Sequence, residues 1–149
     1  MKSILSDRIN LPIRSMPSRW QNIAADLPFD VPPMMSSTGF RITRRELEPL
    51  FPSPIIEQEL GTSQRFFKIP DKVLNDYLSW RPTPLVRARR LEEVLGTPAK
   101  LYFKFEGGSP SGSYESNTAI PQAHYIKEGG FETIITGGAG GVWVMAMGH

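Results

Sequence analysis

The most constraining feature of this sequence is the separation of its prolines from its glycines. Nine of the 14 prolines lie in the first 70 residues, whereas 11 of the 13 glycines lie from Gly96 onward. Because proline fixes φ and has no N–H to donate, residues 1–40 are predicted to form an extended, wrapping segment rather than a core-building unit. The late glycines predict tight turns and close backbone approach, as in an α/β unit that carries a ligand loop.

Two short helices are predicted in the stretch that follows the extended segment. Thr43 and, three residues later, Glu46 form a capping-box pattern that begins the first helix. Ser53 is expected to cap the second helix, with Pro54 at its first position and Gly61 at its end. These signals predict short helices rather than a single long one.

Two further helices are expected to bury one face each. The third begins at Pro70 and is broken by Pro82 and Pro84, and the fourth ends at Gly96. Apolar residues on each helix recur at the spacing of helical turns. The shared face of the third helix consists of Val73, Leu74, Tyr77 and Leu78. The buried side of the fourth helix consists of Ala88, Leu91 and Leu95.

The last third of the chain is predicted to be a βαβ unit. Residues alternate between apolar and polar from Lys100 to Glu106, which predicts a strand. A helix is expected at about 113–128 and a second strand at about 132–136. The two strands should be parallel with a right-handed connection, which places the chain in the α/β class. Because two parallel strands leave their faces and edges uncovered, the sheet is expected to be incomplete and the fold truncated.

Composition and charge argue against several kinds of partner and site. The net charge of +2 gives no reason to expect a nucleic-acid partner, and the absence of cysteine leaves no disulfide or thiolate metal site. No segment approaches the roughly 20 apolar residues of a membrane span, and the N-terminus lacks the apolar run of a signal peptide. His124 and His149 show no metal-ligand spacing. A cytoplasmic protein without membrane, nucleic-acid or metal binding is expected.

Residues 109–119, with the sequence SPSGSYESNTA, carry the most specific motif. They resemble the cofactor-lysine segment of the tryptophan synthase beta chain family, in which Gly-Ser-His-Lys is followed by Pro-Asn-Thr-Ala or a close variant. In this chain Tyr114 stands at the histidine position and Glu115 at the lysine position. The segment therefore resembles the family everywhere except at its central chemical group.

Other segments resemble the same family and follow in the family order. Downstream, residues 136–140 (TGGAG) are similar to the Glu-Thr-Gly-Ala-Gly loop that holds the substrate carboxylate. Segments similar to the entry of the catalytic fold are 81–85 (RPTPL), 87–91 (RARRL) and 95–99 (LGTPA). Segments similar to the N-terminal region of the family's second type are 18–23 (SRWQNI), 26–28 (DLP) and 50–52 (LFP).

This resemblance implies the N-terminal part of a fold-type-II pyridoxal-phosphate enzyme. Residues 1–80 would be an N-terminal extension with helices, and residues 81–149 the truncated start of the cofactor-binding α/β catalytic domain. The family reaction is a β-replacement that converts L-serine and indole into L-tryptophan and water in tryptophan biosynthesis. A homodimer or the tryptophan synthase alpha chain is the partner that the resemblance implies.

The resemblance also assigns roles to individual positions. In the family the lysine holds the cofactor as an internal aldimine and moves protons at the substrate Cα, and a glutamate before the carboxylate loop assists near indole. Ser113 and Asn117 correspond to cofactor-binding positions. Backbone N–H groups of the loop would bind the substrate carboxylate, because unpaired amides near a helix start suit an anion. The corresponding loop residues are Thr136, Gly137, Ala139 and Gly140.

Several departures from the family pattern remove the expected chemistry. Glu115 cannot form a Schiff base, which needs a primary amine, and Ile135 replaces the catalytic glutamate with a hydrocarbon. Gly138 looks like an insertion in the carboxylate loop. Pro121 falls inside the predicted helix at a cost of ~3 kcal/mol or more. The phosphate-binding loop of the family would lie beyond His149. With Glu115 and Ile135 at their positions no catalytic residue is intact, so we expect an inactive relative that does not bind pyridoxal phosphate.

Alternative interpretations remain open at the level of sequence. The chain could be a non-catalytic interaction module that pairs with an intact beta chain through uncovered apolar faces. It could also be another fold-type-II enzyme, such as threonine synthase or cysteine synthase, although the N-terminal eighty residues resemble the tryptophan synthase family instead. Glu115 could be an ordinary solvated acid, and Asn117 could serve in capping or turn bonding.

Overall fold

The structure, a computed structural model, describes residues 7–60 and 63–149, in which helices and short strands alternate. The helices are α1 (Arg44–Leu47), α2 (Ser53–Glu59), α3 (Asp71–Tyr77), α4 (Arg89–Leu95), α5 (Ser116–Glu128) and α6 (Val142–Gly148). The strands are β1 (Arg8–Ile9), β2 (Arg19–Gln21), β3 (Phe66–Lys68), β4 (Leu85–Arg87) and β5 (Tyr102–Lys104). None of the described helices is long and apolar enough to cross a membrane.

The strands form two small antiparallel sheets. Strands β1, β4 and β5 form one sheet in that order, and β2 pairs with β3 in the other. In the first sheet Val86 lies opposite Arg8 on one side and Phe103 on the other. In the second sheet Trp20 lies opposite Phe67. The fold is therefore a mixture of helices and strands, as expected for part of an α/β protein.

The predicted parallel sheet is not confirmed. Strand β5 forms within the predicted stretch 100–106, but residues 132–136 have no regular secondary structure, so the prediction of a strand there is wrong. Instead, β5 pairs with β4, the strand that precedes it by one helix, and the pairing is antiparallel. A strand forms only where a neighbour accepts its backbone hydrogen bonds, and residues 132–136 have no such neighbour among the described residues.

The predicted extended N-terminal segment is likewise not confirmed. Within the described part of this segment, short 3₁₀ turns at Ile13–Ser15 and Ile23–Asp26 alternate with strands β1 and β2. These strands pair with β4 and β3, which lie much further along the chain. The prolines therefore exclude α-helix from this stretch without keeping it uniformly extended.

The helix-start signals of the sequence act largely as predicted. Thr43 donates its N–H and its hydroxyl to Glu46 Oε2 at 2.8 and 2.7 Å, so the predicted capping pattern begins α1. Helix α2 begins one position earlier than predicted, because Pro52 is its N-cap and Ser53 is already helical. The predicted end of this helix at Gly61 lies outside the described residues.

The core forms where α3 packs against α5. Tyr77 meets the ring of Trp80 edge-on, with 5.4 Å between ring centroids. The buried cluster consists of Ile69, Val73, Tyr77 and Ile120. Partly buried side chains around it are Met16, Trp20, Leu74 and Trp80. The predicted face of α3 is thus confirmed except for Leu78, which is exposed.

The predicted buried side of α4 is wrong. Leu91 is 49% exposed and Leu95 is 60% exposed, and no residue of α4 is buried. The predicted end at Gly96 is confirmed, since Gly96 adopts φ +56° in the left-handed region that suits glycine. Apolar spacing predicts a helix face that can be buried, but it does not specify that other residues of the described chain pack over that face.

Helix α5 continues through Pro121, because another residue replaces the lost hydrogen bond. Proline has no N–H, so the carbonyl of Asn117, four residues earlier, lacks its ordinary helical donor. The buried hydroxyl of Tyr77 donates to that carbonyl at 2.5 Å. Burial raises the pKa of Tyr77 to about 12, so the hydroxyl stays protonated and able to donate. The proline predicted inside the helix is therefore accommodated by a contact from α3.

Removing the Tyr77 hydroxyl should destabilise the fold, because the Asn117 carbonyl then loses its hydrogen-bond donor. Tyr77→Phe is expected to lower the free energy of unfolding by about 1–3 kcal/mol, because a buried acceptor loses its partner. Pro121→Ala restores an N–H four residues after Asn117, so the same Tyr77→Phe change should cost less in that background. Chemical denaturation of the four proteins measures the coupling. Tyr114→Phe, at an exposed tyrosine, is the matched control; equal costs in both backgrounds would contradict the assignment.

Alkaline pH should weaken the fold through the same side chain. Burial raises the pKa of Tyr77 from 10.0 to about 12, so the folded protein holds the hydroxyl proton more tightly than the unfolded chain. The resulting stabilisation is fully present below about pH 10 and is lost as the pH rises through about pH 12. Denaturation midpoints measured across this range should fall less steeply in Tyr77→Phe than in the wild type. Parallel curves for the two proteins would disprove the linkage.

Candidate functional site

The turn before α5 is fixed by a cluster of serine side chains. Ser109, Ser111 and Ser116 are buried. The hydroxyls of Ser111 and Ser116 lie 2.8 Å apart, and Ser109 Oγ accepts the N–H of Ser113 at 2.9 Å. Gly112, with φ +71°, supplies the left-handed backbone that the turn requires. Because these bonds occupy residues 109–115, α5 begins at Ser116 rather than at the predicted position near 113.

Glu115 occupies the position directly before α5. Its N–H donates to Ser113 Oγ at 3.1 Å, and its side chain is half-buried. Its carboxylate oxygen Oε2 is buried without a hydrogen-bond partner among the described residues. A solvated surface acid would expose both oxygens to water, so this glutamate is not an ordinary surface residue. Its backbone is held in place by the serine turn, whereas one oxygen of its carboxylate is left unsatisfied.

The described site offers a carboxylate where an aldehyde cofactor needs an amine. A Schiff base forms only with a primary amine, so Glu115 does not fit a pyridoxal cofactor in its covalent form. Two lysines lie on neighbouring elements. Lys104 donates its ammonium group to the carbonyl of Thr83, and Lys127 is exposed near the C-terminal end of α5. Lys104 belongs to β5 and Lys127 to the far end of α5, so neither stands at position 115 of the chain.

A polar bridge joins α5 to the sheet. Asn117 Nδ2 donates to Glu106 Oε2 at 3.3 Å, and the hydroxyl of Thr83 donates to Glu106 Oε1 at 2.7 Å. Thr83 is buried, and Asn117 Oδ1 is buried without a partner among the described residues. The side chain of Asn117 thus makes a tertiary contact rather than a local cap or turn bond.

Sequence reasoning missed both Thr83 and Glu106 as members of this bridge. Thr83 lies between two prolines in the RPTPL segment, a pattern that predicts a break in the chain and not a polar contact. Glu106 ends the alternating stretch before the 3₁₀ turn Glu106–Gly108, and a charged residue at the end of a strand is an available signal for a polar contact. The partner of each residue depends on tertiary structure, so no local pattern identifies the pair.

The loop before α6 is exposed and is held by one tryptophan. Trp143 donates its Nε1–H to Thr136 Oγ1 at 2.7 Å. Ile135, directly before this loop, is 96% exposed. A Cβ on Gly138 would lie 3.1 Å from the Trp143 Cβ, so glycine at this position allows the two residues to approach closely. Gly140 adopts φ +74°, a backbone that favours glycine.

The two candidate segments precede helices that pack against each other. Ala119 and Ile120 of α5 and Ala146 of α6 are buried, and α5 contacts α6. Among the described residues, no hydrogen bond joins the segment 109–117 to the loop 136–140. The fold therefore places both segments on one pair of helices without linking them directly.

No metal centre is formed by the part of the chain that the structure describes. Within residues 7–60 and 63–149, no group of three or more histidine, cysteine, aspartate or glutamate side chains is placed to hold a metal ion. His124 instead lies beside the ring of Tyr125, with 5.5 Å between the ring centroids.

Curated proteins include relatives that are similar in sequence to nearly the whole chain. No protein-family model matches the chain. It is 42% identical over 142 residues to a tryptophan synthase beta chain of Thermosipho africanus, covering 95% of this chain and 34% of that protein. It is 44% identical over 142 residues to "Tryptophan synthase beta chain 2" of Thermotoga maritima, which covers 95% of this chain and 33% of that protein. It is also 44% identical over 146 residues to "Tryptophan synthase beta chain 2" of Methanosarcina acetivorans, which covers 97% of this chain and 33% of that protein.

The chain thus spans about a third of the length of the curated relatives that it matches. The match covers 95–97% of the chain, a share that leaves room for few residues outside it. Over this length the chain is homologous to the N-terminal portion of tryptophan synthase beta chains, the family that its motifs resemble.

Proposed function

We propose that this chain is a tryptophan synthase beta-like protein that does not catalyse the family's reaction. The observation that carries the proposal is Glu115 at the start of α5, in the position of the lysine that binds pyridoxal phosphate in the family. The family reaction joins L-serine and indole to give L-tryptophan and water in tryptophan biosynthesis. This reaction requires an amine that captures the cofactor aldehyde, and a carboxylate lacks the nitrogen for that bond.

Neither nearby lysine is a substitute for the missing amine. Lys127 lies 12 residues beyond Glu115 along α5, which corresponds to about 18 Å at a rise of about 1.5 Å per residue. The ammonium group of Lys104 is bonded to the carbonyl of Thr83 in the sheet. Glu115 would also place a negative charge beside a phosphorylated cofactor. The proposal therefore includes weak or absent binding of pyridoxal phosphate.

The second reacting group of the family is also replaced. Ile135 stands at the position of the catalytic glutamate and is a hydrocarbon that is almost fully exposed. A side chain without an ionisable group cannot move a proton near indole. We assign the loop Thr136, Gly137, Ala139 and Gly140 as the remnant of a carboxylate-binding loop, and Ser113 and Asn117 as the remnant of the cofactor contacts. The expected location is the cytoplasm.

Absorbance and covalent trapping test whether the chain forms a Schiff base with pyridoxal phosphate. Wild-type protein mixed with pyridoxal phosphate is expected to develop no internal-aldimine band, because no amine lies at the site. Borohydride should then fix no stoichiometric pyridoxyl group to one lysine, as measured by peptide mass spectrometry. An intact beta chain serves as the positive control. Stoichiometric labelling of one wild-type lysine would overturn the proposal.

The variant Glu115→Lys tests the replacement at position 115 separately from the replacement at position 135. Glu115→Lys is expected to form no L-tryptophan from L-serine and indole, because Ile135 still supplies no carboxylate. Glu128→Lys, at the exposed end of the same helix, is the matched control for an added amine. Serine- and indole-dependent turnover by Glu115→Lys, but not by Glu128→Lys, would show that position 135 does not matter.

A second candidate function is a non-catalytic module that pairs with an intact beta chain. The observation that favours it is the uncovered side of α4, on which Val94 is 84% exposed beside the exposed Leu91 and Leu95. Apolar side chains clustered on one exposed helix face are typical of an interaction surface. The occupant under this hypothesis is an intact tryptophan synthase beta chain.

Co-purification measures this pairing directly. Wild-type protein is expected to elute with an intact beta chain, and Val94→Lys should weaken the association because a charge replaces a contacting apolar group. Glu93→Ala, next to it on the same helix, is the matched control. Separate elution of the wild-type protein and the intact beta chain at every concentration would exclude the module.

A further inference from the structure

A cavity of about 320 Å³ lies between α1, α2 and α5, away from the serine turn. Leu47 and Ile56 are buried and form its inner part, whereas Met34 and Phe51, 40% and 42% exposed, lie nearer to solvent. A cavity of this size with a mostly apolar lining and few polar groups is typical of a small-molecule site. The apolar lining consists of Met34, Leu47, Phe51, Ile55, Ile56 and Ile126.

Two polar side chains complete the lining of this cavity. They are Glu59, the last residue of α2, and Gln122 of α5. Both also line a neighbouring cavity of about 240 Å³ that contains Trp20 and Tyr125, so they lie at the boundary between the two cavities. Among the described residues, neither side chain makes a hydrogen bond or an ion pair. The apolar cavity is therefore bordered by a carboxylate and a carboxamide whose oxygens are free to accept hydrogen bonds.

The charge at this boundary selects the sign of a ligand. Glu59 is the one charged side chain in the described lining of the apolar cavity. Arg41 lines a further cavity that also includes Glu59, but the two residues form no ion pair. A group that carries a positive charge and several N–H donors therefore complements the boundary, and an ammonium group has three such donors. A ligand with a carboxylate at the same place would meet a like charge.

We propose that this cavity binds a small organic cation in which an apolar ring or chain carries a primary ammonium group. The apolar part fills the space between Leu47, Ile56 and Ile126, and the ammonium group donates to the Glu59 carboxylate and the Gln122 carboxamide oxygen. No lining residue belongs to residues 109–117 or 136–140. The inference is therefore independent of the proposed function.

The two parts of the ligand contribute differently to binding. Removing the apolar part from water supplies most of the affinity, in proportion to the area that the cavity buries. The ion pair with Glu59 contributes less, because this glutamate is exposed and its charge is screened by water. Its main effect is to discriminate between ligands of opposite charge. Met34 is suited to the entrance, since its flexible side chain adapts to ligands of different shape.

Titration with 2-phenylethylammonium, followed by nuclear magnetic resonance, tests the site. The probe is expected to shift the methyl signals of Ile55, Ile56 and Ile126 in a saturable way, while the indole N–H signal of Trp20 in the neighbouring cavity stays in place. The anion 3-phenylpropionate should bind about tenfold more weakly or not at all, because its carboxylate meets Glu59. Methylammonium, which lacks the apolar part, should produce no saturable shift.

Two variants separate the charged contact from the apolar one. Glu59→Gln should weaken binding of 2-phenylethylammonium about fivefold, which is the upper range for an exposed ion pair. Glu57→Gln, on the same helix but outside the lining, is its matched control. Met34→Trp should abolish binding, because the larger ring occupies the cavity. Met35→Trp, at the exposed neighbouring methionine that does not line the cavity, is the matched control.

The remaining signals of each spectrum check that the variants are folded. Equal affinities for 2-phenylethylammonium and 3-phenylpropionate would overturn the proposal, because the boundary would then not select charge. The absence of saturable shifts at the three isoleucines would overturn it as well. Binding that neither Glu59→Gln nor Met34→Trp weakens would place the probe elsewhere and would also contradict the proposal.

Discussion

The bond from the Tyr77 hydroxyl to the Asn117 carbonyl is the interaction on which the rest of the fold depends. It joins the buried side of α3 to the first turn of α5, at the carbonyl that Pro121 leaves without a helical donor. The longest helix of the described chain can therefore include a proline, and its start stays packed on the core. The serine turn, Glu115 and Asn117 all lie at that start, so their positions depend on a contact with a residue 40 positions earlier in the chain.

The same region holds the buried polar atoms that the fold leaves unsatisfied near α5. Two buried oxygens, on Glu115 and Asn117, have no hydrogen-bond partner among the described residues. Unsatisfied buried polar atoms are uncommon in folded proteins, because each forfeits its hydrogen bonds to water. The start of α5 thus combines a closely hydrogen-bonded serine turn with two buried oxygens that lack a partner. The proposed loss of the family's covalent chemistry rests on the acid at position 115.

Structural features that depend only on neighbouring residues were predictable from the sequence, and features that depend on distant partners were not. The capping box of Thr43 and Glu46 and the glycine end at Gly96 need only neighbouring residues, and both were predicted correctly. The strand at 132–136 failed, because alternation and β-branching do not supply a neighbouring strand. The buried side of α4 failed for the same reason. At the site, the sequence predicted a helix from about 113, which placed Glu115 inside it, whereas Glu115 directly precedes α5 because the serine side chains hold residues 109–115 in a turn. The Thr83–Glu106–Asn117 bridge depends on tertiary contacts that no local pattern contains.

The side chain at position 115 has no amine with which to capture an aldehyde cofactor. A crystal structure of the wild-type chain grown with pyridoxal phosphate would show every covalent bond at the start of α5. We expect a free Glu115 carboxylate beside the serine turn and no carbon–nitrogen link from any lysine to the cofactor. Continuous electron density between a lysine of this chain and the cofactor would disprove the proposed inactivity.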